Sequence, residues 1–399
     1  MATANEELLS ALVRHQIYLI RYSGSVRNKI TELLGRSEAD VADKIKRYRA
    51  PANGLTTPAE YDRMKALQSA VAKIRQNSWG EAQKFFDEQM NMLMYQEPVV
   101  MRGIIDSVLP VTVSTVMPSA NLLQAMVMSK PFEGRIMSKW VGTLAQNEVL
   151  RMNNAIQLGM VAGESMDQIA KRVTGSAALK GSDGVTELTR HQITAVTRTA
   201  VMHVSNNARS TFFQQNKDII KVEQFVATLD SRTTAVCRAY DGNRYPLGEG
   251  PIPPLHYGCR SLRVVAFNDV LLGSRPAKPT TEKILVKEYA EKHNLGDVRD
   301  RDSLPRGTKG PYDAWAQKRI RELVGPVPAS TVYQKFLEGQ SPAFQNEVLG
   351  IAKGKLFRDG GLTLDKYIDR AGNELTLAQM AGKYREAFVK AGLDPAKYF

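Results

Sequence analysis

Residues Asp230–Arg263 read DSRTTAVCRAYDGNRYPLGEGPIPPLHYGCRSLR, and this stretch holds both cysteines of the chain and one of its five histidines. Pro251, Pro253 and Pro254 exclude a helix there, because proline lacks the amide hydrogen and clashes with the preceding turn. Asp241-Gly242 is a turn signal. On either side lie two runs rich in β-branched and aromatic residues, VEQFVATL at Val222–Leu229 and LRVVAF at Leu262–Phe267. Such runs predict strands. The stretch therefore predicts a short antiparallel sheet whose connection carries the cysteines and His256, packed on the long helix that precedes it.

Upstream, the pattern is helical. Glu6 to Leu34 carries Leu8, Leu9, Leu12, Ile17, Leu19, Ile20, Val26, Ile30 and Leu33. Their spacing, mostly of three and four residues, predicts one amphipathic helix or a broken pair. Thr57-Pro58-Ala59-Glu60 places a cap, a first-turn proline and an acidic residue ahead of a helix running past Ile74, and Glu81–Met94 continues in the same style. Val99–Met128 is the least polar segment; Pro110 and Pro118 interrupt it, so it reads as a buried connector in a helical bundle or as a surface that meets a partner or slides into a channel. Helices resume at Phe132–Gly159, at Ser165–Val173 behind a Ser165 cap, and at Glu187–Gln215. Between the last two, GSAALKGSDG (Gly175–Gly184) reads as a flexible loop and a boundary.

Downstream, SRPAKPTTEK reads as a linker over 273–283. Helices are expected at Ile284–Asn294 and Tyr312–Val324, with an exposed loop at Asp297–Gly310 between them. Ser341-Pro342-Ala343 opens another helix, and short ones follow at Leu364–Ile368 and Thr376–Met380 around a Gly372 turn. The expected architecture is mainly α with a small α+β domain: a helical domain over 1–185, an α+β motif domain over 186–272, the linker, and a helical module over 284–399.

Composition narrows the function. A chain of 399 residues with 43% hydrophobic and 24% charged residues has a globular balance. Its formal charge of +13 favours an acidic partner such as nucleic acid, although a solvated basic surface would give the same total. The start, MATANEELLSALVRHQ, lacks a secretory signal's cationic end and apolar core, and no window has the apolar length of a membrane span. A soluble protein made in the cytoplasm, without a disulfide scaffold, is expected.

Cys237, His256 and Cys259 offer two thiolates and an imidazole, with Asp230 or Asp241 available as a fourth ligand. Zinc accepts such a set at tetrahedral geometry. A Cys237–Cys259 disulfide and a metal-free knot of packed thiols and turns fit the same spacing. Asp230, at a strand end, is placed to accept backbone N–H groups from Arg232 and Thr233 as an Asx-turn does. Arg232 and Arg260 can pair with Asp230 or Asp241, or contact phosphate. Asp241-Gly242 reads as a turn rather than a catalytic acid.

The order of residues here resembles the Mu F-type minor head protein, or head morphogenesis, family of tailed phages. The resemblance rests on TRTAVMHVSNNARSTFF, a strand ending in Asp230, D-x-R-T, a cysteine, an Asp-Gly turn, P-P-L-H with Pro254, and C-R with Arg260. It spans roughly Phe132–Phe267, and SPAFQNEVLGIAKGKLFRDGGLTLDKYIDRAGNELTLAQM is similar to a carboxy-terminal element of some such proteins. The resemblance implies a structural virion protein, assembled in the host cytoplasm and located in the capsid interior or at the portal vertex. Its implied partners are the portal protein, the head shell or other ejected virion proteins, and packaged DNA bound without sequence preference. The implied work is capsid assembly and the packaging, retention or delivery of DNA, not catalysis. The family pattern often carries further cysteines where this chain has Thr234 and Ser261, which removes two potential ligands. Phosphate contact falls to Arg198, Arg209, Arg232 and Arg260.

Two other function classes are compatible with the residues. A Cys, a His and an Asp in one motif could form a nucleophile, base and orienting acid, and a metal-dependent nuclease or toxin-like enzyme would need an open metal position. H-E-x-x-H, G-x-S-x-G and phosphate-cradling glycine loops are all absent from the sequence. A plain DNA-binding protein without a portal partner is the third class. His203, with Arg198, Asn206 and Arg209 at helical spacing, forms a polar stripe that faces either the motif or solvent. Trp79, Trp140 and Trp315 read as core anchors.

Overall fold

The computed structural model describes residues 4–49, 57–108, 114–132, 134–179, 181–265 and 274–399. It is mainly helical, with packed amino-terminal helices, small sheets mid-chain and a helical carboxy-terminal part. Helix α1 (Ala4–Lys46) is one unbroken rod rather than a broken pair, and α2 (Pro58–Val108) fuses the two helical patterns predicted there. Neither is stable through local propensity alone. Leu19, Val26, Ile30, Leu33 and Leu34 of α1 bury in one cluster with Trp79, Phe86, Met90 and Met94 of α2. Burying such side chains contributes about 1.5–3 kcal/mol each. Pro98 sits inside α2, directly after the buried Glu97.

Residues 109–113, including Pro110, lie outside the described residues. The segment that follows them is clamped at Val116, whose backbone N–H and C=O both bond the Asn216 amide at 2.7 and 2.9 Å. Helix α3 (Ala120–Leu123) runs into one π-helical turn, and α4 (Trp140–Val161) begins after the Phe132–Arg135 bridge. Helix α5 (Met166–Thr174) starts with a complete capping box, in which Ser165 and Gln168 each satisfy the other's backbone amide. The glycine-rich loop is not loose. A Cβ on Gly175 would meet the Gly181 backbone at 2.4 Å, and one on Gly184 would meet Gly175 at 2.3 Å, so the glycines allow the chain to fold back on itself.

Helix α6 (Val185–Gln215) packs against α1, α2 and α4, which makes it part of the bundle as well as the floor of the motif region. Its polar stripe does not face solvent: His203, Asn206 and Arg209 are all buried. The helix is enclosed on every side over its second half, where burial runs without a break from Thr199 to Phe213.

Strand β1 (Val222–Val226) is the centre of an antiparallel sheet between β3 (Arg244–Pro246) and β4 (Leu262–Val265). Its inner face packs with Phe212 and Phe213 of α6, Leu8 and Leu12 of α1, and Met101 and Ile105 of α2. The chain between β2 (Leu229–Asp230) and β3 forms the short helix α7 (Ala235–Tyr240). The segment expected as a linker is a strand, β5 (Ser274–Lys278), pairing in parallel with β2 and antiparallel with β6 (Gly325–Pro328). Its composition misleads because Pro276 lies opposite Pro326, where neither strand supplies an amide hydrogen.

Two helices of the carboxy-terminal part, α8 (Glu282–Lys292) and α9 (Lys309–Leu323), hold their own cluster around Tyr289 and Tyr312. Val298 and Leu304 are buried in that cluster, so the segment between the helices is anchored rather than wholly exposed. A second cluster is built by α10 (Tyr333–Glu338), α11 (Pro342–Leu349), α12 (Ile351–Arg358), α13 (Leu377–Lys383) and α14 (Arg385–Lys390). Gly350, at φ +83°, breaks α11 from α12 where one helix was expected. No helix among the described residues is long and apolar enough to cross a membrane.

Candidate functional site

The site is a corner formed by α7, the proline-rich connection from β3 to β4, and the middle of α6. Thr234 opens α7 with extended dihedrals, which places Cys237 one turn later on its buried side. The connection reaches the corner through a cis Pro253–Pro254 peptide and then turns at Gly258, φ +72°. That turn is clamped from three sides. Thr199 Oγ1 of α6 accepts the Gly258 N–H at 2.9 Å, the Gln16 amide of α1 donates to the Arg260 carbonyl at 3.0 Å, and Phe132 meets Tyr257 edge-on.

These clamps bring three groups together. Cys237 Sγ lies 3.4 Å from His256 Nε2 and 3.8 Å from Cys259 Sγ, and all three atoms fall within 4.8 Å of one another. Both cysteines are free thiols, buried among Phe225, Ala227 and Leu255. His256 Nδ1–H donates to the Tyr257 carbonyl at 3.0 Å, which turns Nε2 toward the sulfurs. The thiols are held apart in acidity. Hydrogen bonding to Cys259, then burial, pushes the Cys237 thiol up. The Cys237 hydrogen bond holds Cys259 well below the usual thiol range against burial, with His256 adding to it. Burial lowers His256, but hydrogen bonding to Cys259 outweighs it and leaves the imidazole raised.

Asp230 does not join this cluster. Arg260 grips it in a fork, Nη1 to Oδ2 at 2.6 Å and Nη2 to Oδ1 at 2.7 Å, and the Arg232 N–H and Thr233 hydroxyl also reach Oδ1. Burial works against the charge, but the Arg260 bonds prevail and hold the Asp230 carboxyl below its ordinary value. Asp241 is likewise committed elsewhere. Its carboxylate accepts the N–H groups of Ala227 and Tyr333, each at 2.6 Å, and pairs with Arg275. Gly242 follows at φ +89°, the left-handed geometry that an Asp-Gly turn requires. The two aspartates thus act as ties: Asp230 joins the strand end to the Cys259 turn, and Asp241 joins β1 to α10.

The four arginines expected to meet phosphate have different fates. Arg209 is 1% exposed and its guanidinium is engaged by Glu97, so it cannot reach DNA. Arg260 is largely covered by its pair with Asp230. Arg232 is exposed, 3.8 Å from Asp230. Arg198 is half-buried, with a buried Nε that has no hydrogen-bond partner. Burial, and then the charges of Arg260, Arg232 and Arg27, depress its pKa.

Four positioning groups carry no local sequence signal: Gln16, Thr199, Arg275 and Tyr333, whose hydroxyl donates to the Asp230 carbonyl at 2.6 Å. Each acts on a residue far away in the chain. Arg275 in particular sits in a stretch whose composition suggests a linker.

Residues 151–263 match the family model described as Phage Mu protein F like protein. The matched span runs from α4 through the whole Cys/His corner to the middle of β4. This part of the chain is therefore similar to phage Mu protein F. No curated protein and no solved structure matches the chain.

Proposed function

We propose that this protein is a minor head protein of a tailed phage, seated at the portal vertex and touching packaged DNA without sequence preference. The observation that carries the reading is the Mu F-like match over 151–263, which covers every element that builds the corner. The net charge of +13 supports contact with phosphate, through counterion release rather than base readout. At the corner itself, phosphate contact falls to the exposed Arg232 and to the half-buried Arg198, which lies in the positive field of Arg27, Arg232 and Arg260. The protein resides in the virion, in the capsid interior or at the portal, and assists assembly and the packaging, retention or delivery of the genome.

Co-purification with the portal protein of the same phage tests the seat. Binding that survives high salt supports it. Binding to DNA alone, abolished by salt, would reduce the protein to a DNA-binding module without a portal partner. For the DNA face, Arg232→Ala is expected to weaken binding equally across sequences and to lower the slope of log affinity against log salt by about 1. An unchanged slope would move the contact to another face.

A further inference from the structure

We propose that Cys237, His256 and Cys259 hold one zinc ion that pins α7 to the connection between β3 and β4. Two thiolates and an imidazole are soft and borderline ligands that suit zinc, and the absence of a carboxylate from the cluster disfavours calcium and magnesium. The two separations measured from Cys237 Sγ match a zinc tetrahedron, and all three ligand atoms lie within 4.8 Å of one another. Zn–S bonds of about 2.3 Å and a Zn–N bond of about 2.0–2.1 Å at tetrahedral angles give edges of about 3.8 Å between sulfurs and about 3.6 Å from sulfur to nitrogen. The observed Sγ–Sγ distance is 3.8 Å and the Sγ–Nε2 distance is 3.4 Å.

The imidazole is already aimed. Its Nδ1–H bond to the Tyr257 carbonyl is the outer contact that fixes a ligating histidine and leaves Nε2 for the metal. The buried Thr234 hydroxyl lies beside the Cys237 sulfur. The fourth coordination position would fall to water. On binding, the thiol protons leave to solvent and both sulfurs coordinate as thiolates.

The ion's role is structural. A hydrolytic zinc site needs a free general base beside its water, and the nearby Asp230 has both oxygens taken by Arg260. What the ion joins is clear from the chain: Cys237 lies on α7, whereas His256 and Cys259 lie on the connection held by Thr199 of α6. Zinc would cross-link segments that otherwise meet through the small cluster of Phe225, Val236, Tyr240 and Leu255.

The full chain, purified without chelators, is expected to carry about one zinc and to lose it in Cys259→Ser. Replacement by cobalt should give the visible bands of a tetrahedral site together with thiolate charge transfer. That spectrum needs no variant, so a misfolded Cys259→Ser does not spoil the test. Chelation should lower the melting temperature of the wild type and leave that of a folded Cys237→Ser unchanged. A folded wild type holding less than about 0.2 zinc per chain after incubation with excess zinc overturns the proposal. So does a cobalt spectrum without thiolate charge transfer.

Discussion

The helical bundle and the Cys/His corner both bury carboxylates, but they use them differently. In the bundle, Glu148 of α4 is fully buried and receives a two-pronged contact from Arg75 of α2, at 2.7 and 2.8 Å, and the Trp79 indole N–H at 2.6 Å. Glu97 sits between His15 of α1 and Arg209 of α6. These acids bind one helix to another inside a core that apolar side chains already fill. At the corner, Asp230 and Asp241 hold turns, strand ends and the first helix of the carboxy-terminal cluster. The bundle uses charge to select which helix faces meet; the corner uses it to give shape to chain that has no repeating structure. Buried ion pairs contribute little net stability when intact but leave a costly unpaired charge when one partner is lost.

That contrast predicts a ranked set of effects. Arg75→Met, which strands the buried Glu148 in an otherwise apolar interior, should cost about 3–5 kcal/mol in urea unfolding. A loss below about 1 kcal/mol would mean that Trp79 alone satisfies the acid. Asp241→Asn turns an amide toward donors and should cost about 2–3 kcal/mol. Here the location matters more than the size: amide exchange should accelerate at Tyr333 and through α10, and leave α1, α2 and α6 protected. Uniform acceleration would erase the distinction between the two regions.

The smallest effect concerns pH and belongs to the bundle. His203 is buried against Phe132 and Trp140, and its Nε2–H donates to the Val127 carbonyl at 3.3 Å. Burial first of all, with Lys130 nearby, pushes its pKa down to about 4. The unfolded chain takes up the proton near the ordinary histidine value of about 6.5, and the folded chain does so only near 4. Protonation therefore favours unfolding. The contribution of His203 is complete above pH 6.5 and is lost as pH falls toward 4, amounting to about 2 kcal/mol by pH 5. Denaturant midpoints across this window should fall in the wild type and flatten in His203→Gln. Equal slopes in both would assign the acid sensitivity to other groups.

Much of the fold was legible because it is repetitive. The three- and four-residue spacing of leucines marked α1, the Ser165 and Ser341 caps marked helix starts, and the prolines of 251–254 marked a turn-rich corner. The candidate cluster of Cys237, His256 and Cys259 was legible too, since rare ligand side chains crowded into one stretch are visible without a structure. The carboxylate partners were not. Asp230 looked available as a ligand and Arg209 as a phosphate contact, but each is consumed by a residue that sequence spacing cannot reveal, Arg260 in one case and Glu97 in the other. The strand at Ser274–Lys278 was hidden for a related reason: its pairing depends on β2 and β6, whereas its own composition signals only a linker.

The sequence by itself determined the helical class, the positions of the turns, the Mu F-type signature and the set of thiols and imidazole that meet at the corner. These are properties of local spacing and side-chain chemistry, which act over a few residues. Tertiary structure alone decided which charges are paired, that the stripe on α6 is buried rather than wet, and that the two sulfurs and Nε2 come within 4.8 Å of one another. Those outcomes depend on distances between segments far apart in the chain, set by how α1, α2 and α6 pack, and local spacing does not encode them.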